Sequence, residues 1–156
     1  MKGRHTLVGV CLAGVELSGE NLEHANFSYS DLSYADFSSC SLRSAQLDHV
    51  LAEGIKLTDA DLSGASLLFA CLGLAQCDRA RFCRAVAENV NFVGASLVGA
   101  DFSDAHLFYS RFANADCSGA IFRGADLERA IFRCTVLRDA DLANAKGHPI
   151  FDRVVR

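Results

Sequence analysis

Histidines, cysteines and carboxylates are the side chains in this chain that could perform chemistry, and their spacing offers little of it. His5, His24, His49, His106 and His148 are scattered, and none sits at a metal-ligand spacing from a cysteine or another histidine. The seven cysteines (Cys11, Cys40, Cys71, Cys77, Cys83, Cys117 and Cys134) contain no C-x-x-C pair. They read as the reduced thiols of a cytoplasmic protein rather than as a disulfide set. Carboxylate pairs such as Asp59/Asp61 and Asp101/Asp104 could do acid–base work. Each of these acids, however, lies twenty residues from Arg79, Arg81 or Arg84, so structural ion pairs are expected instead. No nucleophile elbow, phosphate-cradling glycine loop or dinucleotide fingerprint occurs. The expectation is a non-enzyme with no catalytic residues, no cofactor and no metal.

The elements that would have to position any site follow from a five-residue beat. Stepping by five from Leu7 to Leu142, 24 of 28 positions are Leu or Phe, and the exceptions Ala52, Cys77, Ala87 and Cys117 are small and apolar. Two residues before most beats stands an alanine. A period of five builds no apolar face on an α-helix, and on a flat strand it would flip every second beat outward. The beats all point inward only if each repeat also turns the chain. Four sides then close a coil in twenty residues, and coils stack at about 4.8 Å. Charge spacing agrees with that length. Twenty apart there are seven opposite-sign pairs, among them Asp36/Lys56, Asp59/Arg79 and Asp126/Lys146, and two of like sign; fifteen apart, two are opposite and five alike.

The stretches ADLSG (60–64), ADFSD (100–104), ADLER (125–129) and ADLAN (140–144) carry a resemblance to the pentapeptide-repeat family, whose pattern is A(D/N)LXX. It covers about residues 5–145. The resemblance implies an all-β, right-handed quadrilateral parallel β-helix of about seven four-sided coils, roughly 34 Å long. In that register the alanine and the beat, the first and third slots of each repeat, face inward and the other three face out. Phe82, Phe102 and Phe122 then stack on one side, with Phe92, Phe112 and Phe132 opposite. Val50 and Ile55 compensate Ala52, and Val90 compensates Ala87.

At the start, His5, Val10, Val15 and Glu20 take the alanine slot; a carboxylate inside a dry core is costly, which predicts a frayed, capped or partner-covered first coil. The segment MKGRHTLVGVCLAGV reads as repeats in phase rather than a signal peptide, and no run is long enough to span a membrane. The tail 146–156 leaves the pattern. With Pro149 at a first helical position and Ile150, Phe151, Val154 and Val155 on one stripe, it predicts a short helix that caps the last coil or forms a dimer contact. With 51% hydrophobic residues and one proline, the 156 residues are expected to form one domain.

Function is sought on the surface. On the side built around Leu7, Phe27, Leu47, Leu67, Ala87, Leu107 and Leu127, the outward residues include Tyr29, His49, Leu68, Phe69, His106, Phe108 and Tyr109, whereas most other outward positions are small or polar. Leu51, Tyr34, Leu74 and Ile131 on the neighbouring side widen that patch. A contiguous apolar stripe marks a binding face, which points to a non-catalytic, rigid protein–protein interaction module or a homodimer. The bland alternative is a self-supporting aromatic ladder. The repeat pattern is also similar to the quinolone-resistance pentapeptide-repeat proteins, and that resemblance implies a second reading, a DNA mimic that engages DNA gyrase or topoisomerase IV. Glu16, Asp36, Asp59, Asp78, Asp116 and Asp139 share one side as such a mimic requires, interrupted by Lys56, Arg79 and Arg138. Residues 1–78 carry ten acids and four bases, and 79–156 carry nine and eleven. No dense basic patch suits direct nucleic-acid binding.

Overall fold

The structure, a computed structural model, describes residues 6–156. Each repeat is one extended residue followed by a turn. The first-slot amide of the next repeat donates to the carbonyl of the beat, as in Ala35 to Leu32 at 3.1 Å and Ala105 to Phe102 at 3.0 Å. The fifth slot is the third residue of that turn and lies in the left-handed region, with φ of 67° at Gly64 and 62° at Tyr29. This is a type II arrangement, which explains the glycines there. Twenty described non-glycine residues also adopt positive φ, at a cost of order 1 kcal/mol each. Hydrogen bonding between coils must offset it.

That bonding is parallel and locked to a twenty-residue translation. Second-slot residues pair in four columns, for example Asn26–Gln46–Ser66–Val86, Asp31–Leu51–Cys71–Asn91, Asp36–Lys56–Gln76–Ser96 and Ser41–Asp61–Arg81–Asp101. The beat and the fifth slot donate forward (Leu57 N to Gln76 O, 2.7 Å; Asp59 N to Asp78 O, 3.0 Å), and the second slot donates back (Gln76 N to Ile55 O, 2.9 Å). One amide per repeat, in the fourth slot, is left over. Where the second slot holds aspartate or asparagine, its side chain takes it: the carboxylates of Asp31, Asp61, Asp101 and Asp116 accept from Ser33, Ser63, Ser103 and Ser118 at 2.9–3.0 Å, and the Asn91 amide oxygen accepts from Val93 at 3.1 Å. Aspartate and asparagine recur in the second slot because they cap their own backbone two residues on.

The core is the inward pair of columns, first slot and beat. Phe82, Phe102 and Phe122 stack at 4.7 and 5.1 Å, and Phe92, Phe112 and Phe132 at 5.1 and 4.7 Å. The two stacks meet edge to face, as Phe102 and Phe112 do at 6.0 Å, a geometry that favours aromatic pairs. The expected stacking is therefore present. Val50 and Ile55 do fill in beside Ala52, leaving an enclosed void of only about 10 Å³, room for one water at most. Ser30, Ser110 and Thr135 occupy the alanine slot and are buried. Each hydroxyl reaches into the turn of the preceding coil: Ser110 donates to Ala87 O at 2.5 Å and accepts from Val90 N at 3.3 Å, Ser30 donates to Leu7 O at 2.6 Å, and Thr135 donates to Phe112 O at 2.7 Å. Glu20 is exposed, and Val10 and Val15 are half-buried, so the core closes completely only from Ala25 onward. His5 lies outside the described residues.

The tail corrects the sequence-based expectation of a helix. Among the described residues, the only runs of extended pairing longer than single residues are β1, Ile131–Arg133, and β2, Ile150–Asp152, and they pair in parallel. Val155 pairs with Val136 in the same manner. The step here is nineteen residues rather than twenty. Ile150 N donates to Ala130 O, Cys134 N to Asp152 O and Leu137 N to Val155 O, so the tail satisfies backbone groups that a helix would have left open. Phe151 stacks on Phe132 at 5.3 Å, which extends the phenylalanine column. Packing and pairing outweigh the helical stripe. Among the described residues, no helix is long and apolar enough to cross a membrane.

Candidate interaction surface

The left-handed fifth slot sets side chains at the corners of the solenoid, twenty residues apart along its axis. Tyr29, His49 and Phe69 occupy one such corner and stack face to face, with ring centroids 4.8 and 5.2 Å apart and planes within 8°. All three are exposed. Asn89 interrupts the row, which resumes at Tyr109. There Phe108 packs edge-on against Tyr109 at 4.4 Å, and the Arg129 guanidinium lies 5.6 Å from the Tyr109 ring centre. Leu68 is half-buried, and its amide is held by the Asp48 carboxylate at 2.9 Å. His106 does not join the row; it lines a separate depression with Arg84, Asp104, Asp126 and Lys146.

Side chains as exposed as those of the stack lie across the corner on the next side, which the sequence suggests only as an extension of the patch. Tyr34 and Leu51 are 64% and 56% exposed and Leu74 56%, against 64% for Tyr29 and 52% for Phe69. The Tyr34 ring lies over Gly54, and the Leu74 side chain over Gly94, each filling the space that a Cβ would take. A large residue followed twenty later by glycine was the signal that could have identified this arrangement. Between the two corners runs a groove of about 460 Å³ lined by Leu51, Glu53, Cys71, Gly73, Leu74 and Val93, among others. Ile131 is not part of it; with Tyr109, Glu128 and Ile150 it lines a second groove of about 450 Å³ near the tail. Of the four tail residues expected to form a cap or dimer contact, Ile150, Phe151 and Val155 are exposed and Val154 is half-buried.

The acidic side is largely engaged internally. Asp59 receives two hydrogen bonds from Arg79, at 2.7 and 2.8 Å, which hold its carboxyl below the usual range. Asp36 caps Ser38 and pairs with Lys56 at 3.3 Å, Asp78 accepts from Ser96 at 2.5 Å, and Asp116 caps Ser118. Of the other pairs expected at twenty residues, Asp61 and Arg81 approach to 3.9 Å, while Arg123–Asp141 and Arg43–Asp61 meet at a spacing of eighteen. Diagonal pairing between the fourth slot of one coil and the second slot of the next was not anticipated. Among the described residues no group of histidines, cysteines and acids is placed to hold a metal ion, and all seven cysteines are free thiols.

A family model described as pentapeptide repeats matches in eight copies over residues 7–43, 40–74, 75–108 and 110–146. No curated protein matches the chain in sequence. Among solved structures, a pentapeptide repeat protein from the Arabidopsis thaliana thylakoid lumen is 24% identical over 72% of this chain and 68% of its own, with a TM-score of 0.50. HetL of Nostoc sp. strain PCC 7120, described as involved in the regulation of heterocyst differentiation, is 23% identical over 98% and 90%, with a TM-score of 0.32. The full-length plasmid-mediated fluoroquinolone resistance protein QnrB1 is 19% identical over 96% and 92%, with a TM-score of 0.42. The first of these likenesses concerns the fold, a solenoid of the right-handed β-helix type.

Proposed function

We propose, from the premise that this chain belongs to the pentapeptide-repeat family, that it is a non-catalytic, rigid interaction module which presents an aromatic corner and the adjoining apolar side to a protein partner. We take its cross-section as quadrilateral, in about seven coils, and the whole chain as one domain. The observation that carries the reading is the exposed stack of Tyr29, His49 and Phe69 beside Tyr34, Leu51 and Leu74. Large apolar side chains exposed side by side are the usual mark of an interaction site. A β-solenoid also holds it in place before binding, so little side-chain entropy is lost on association. The DNA-mimic alternative draws less support, because Lys56, Arg79 and Ser96 already occupy the carboxylates that would have to face a DNA-binding partner. Separated free thiols agree with a reducing, cytoplasm-like setting. The tail residues Ile150, Phe151, Val154 and Val155 are proposed as the closing edge of the solenoid, with a homodimer contact at that end as the alternative.

The test is an affinity capture from host lysate with three baits: wild type, a Tyr29→Arg/Phe69→Arg double variant, and a Ser44→Arg/Asn144→Arg control altered on another corner, away from both the aromatic stack and the acidic side. The expected result is a prey retained by the control and lost with the double variant, whose melting temperature stays near wild type. Prey bound equally by all three baits would overturn the reading, and gyrase or topoisomerase IV subunits among such prey would redirect it to the acidic side.

A further inference from the structure

We propose that the occupant of this surface is an extended protein segment carrying aliphatic side chains and at least one lysine or arginine, seated along the groove between the two corners with a cation at Glu53. The inference rests on the interaction-module reading and specifies the chemistry of its partner.

Three observations carry it. The first is Gly73. Nearly every other described glycine sits in a left-handed turn, whereas Gly73 occupies the fourth slot with no positive φ. A Cβ there would meet Val93 O at 3.7 Å and Asn91 Nδ2 at 3.8 Å, ordinary contacts. The backbone therefore does not need this glycine. What its missing side chain produces is the floor of the groove, walled by Leu51, Leu74 and Val93. Second, the groove crosses successive coils, from Ser33 through Glu53 and Gly73 to Val93. Four coils span about 14 Å, the length of a four- to five-residue extended segment. Third, the charge is of one sign. The stretches forming this side up to residue 94 (CLAG 11–14, DLSY 31–34, LAEG 51–54, CLGL 71–74 and NFVG 91–94) contain Asp31 and Glu53 and no lysine or arginine. Asp31 is engaged by the Ser33 amide at 3.0 Å. Glu53 is exposed and has no ion-pair partner among the described residues. An apolar floor with an unneutralised carboxylate at its edge selects an apolar segment with a cation and rejects an acidic one.

The probes are fluorescein-labelled ten-residue peptides of alternating valine and lysine, valine and glutamate, or serine and lysine, with binding read by anisotropy. The valine–lysine peptide is expected to bind, and each of the others to bind about tenfold more weakly or worse. Gly73→Leu should fill the floor and weaken valine–lysine binding by about tenfold or more. Glu53→Lys should weaken it and strengthen the valine–glutamate peptide. Glu16→Lys, with the same charge change on another side, should leave both affinities in place, which separates a local site from attraction by net charge. Equal binding by Gly73→Leu and wild type, or equal affinity for the valine–lysine and serine–lysine peptides, would overturn the proposal. If the Tyr29/Phe69 variant loses its prey while Gly73→Leu keeps it, the interaction module stands and this choice of occupant fails.

Discussion

Single residues in this solenoid are governed by their slot. Burial pushes the Cys77 and Cys117 thiols well above their ordinary range, and Cys40 rises for the same reason; a neutral, inaccessible thiol does not react. Cys11, Cys71 and Cys134 are exposed. Maleimide labelling of the native protein followed by mass spectrometry should therefore modify those three and spare Cys40, Cys77 and Cys117 until denaturant is added. Early modification of Cys77 would contradict the inward register. The buried hydroxyls give a second check. Ser110 replaces the direct turn bond between Ala87 and Val90 with a two-sided bridge. Ser110→Ala is expected to cost about 1 kcal/mol in urea unfolding, whereas no change would mean that the turn closes by itself. The alanine and beat slots were legible in the sequence because apolar periodicity reports burial directly. Ser110 and Thr135 were not, since a hydroxyl in an apolar slot declares neither its partner nor its direction.

At the scale of the repeat, the second-slot carboxylate is a backbone cap that titrates. The Ser33 hydroxyl and amide lower Asp31, the Ser38 amide above all lowers Asp36, and the Ala143 amide lowers Asp141. With folded values below the unfolded value of about 3.9, the native state holds fewer protons than the unfolded chain. The stability these groups confer is present above that value and is lost as pH falls through the lower folded values, from about pH 4 downward. Asp31→Asn keeps the oxygen acceptor and removes the proton, so its melting temperature should match wild type near neutrality and fall less steeply in acid. A parallel acid limb would refute the cap. The tail was misread at this same scale. Ile150, Phe151, Val154 and Val155 do fit a helical stripe, but a stripe weighs only residues within the segment. It does not weigh the open carbonyls of Ala130 and Thr135 or the free face of Phe132, which the tail covers. Truncation after Lys146 should lower the melting temperature and increase dye binding to exposed apolar surface.

Across the whole molecule, stability should run along the axis rather than outward from a centre, because each coil contacts only its neighbours. The coils around Phe82–Phe132 hold the paired aromatic stacks, while the first described coil has half-buried Leu7, Leu12 and Leu17 and an exposed Glu20. Amide hydrogen exchange should be slowest near Phe102 and fastest before Ala25. Phe102→Ala should cost about 3–5 kcal/mol, and an unmoved unfolding midpoint would refute the phenylalanine register. The translation shared by the backbone pairing, the phenylalanine columns and the capping carboxylates has one further consequence. Any twenty consecutive residues between Leu7 and Lys146, cut at any point, form a complete storey of the same building. A tandem duplication within the gene would thus add a floor without disturbing those above or below, whereas the loss of one codon would rotate everything beyond it by part of a side. Growth of such a protein is granular, and its height, rather than its plan, is what evolution is free to vary.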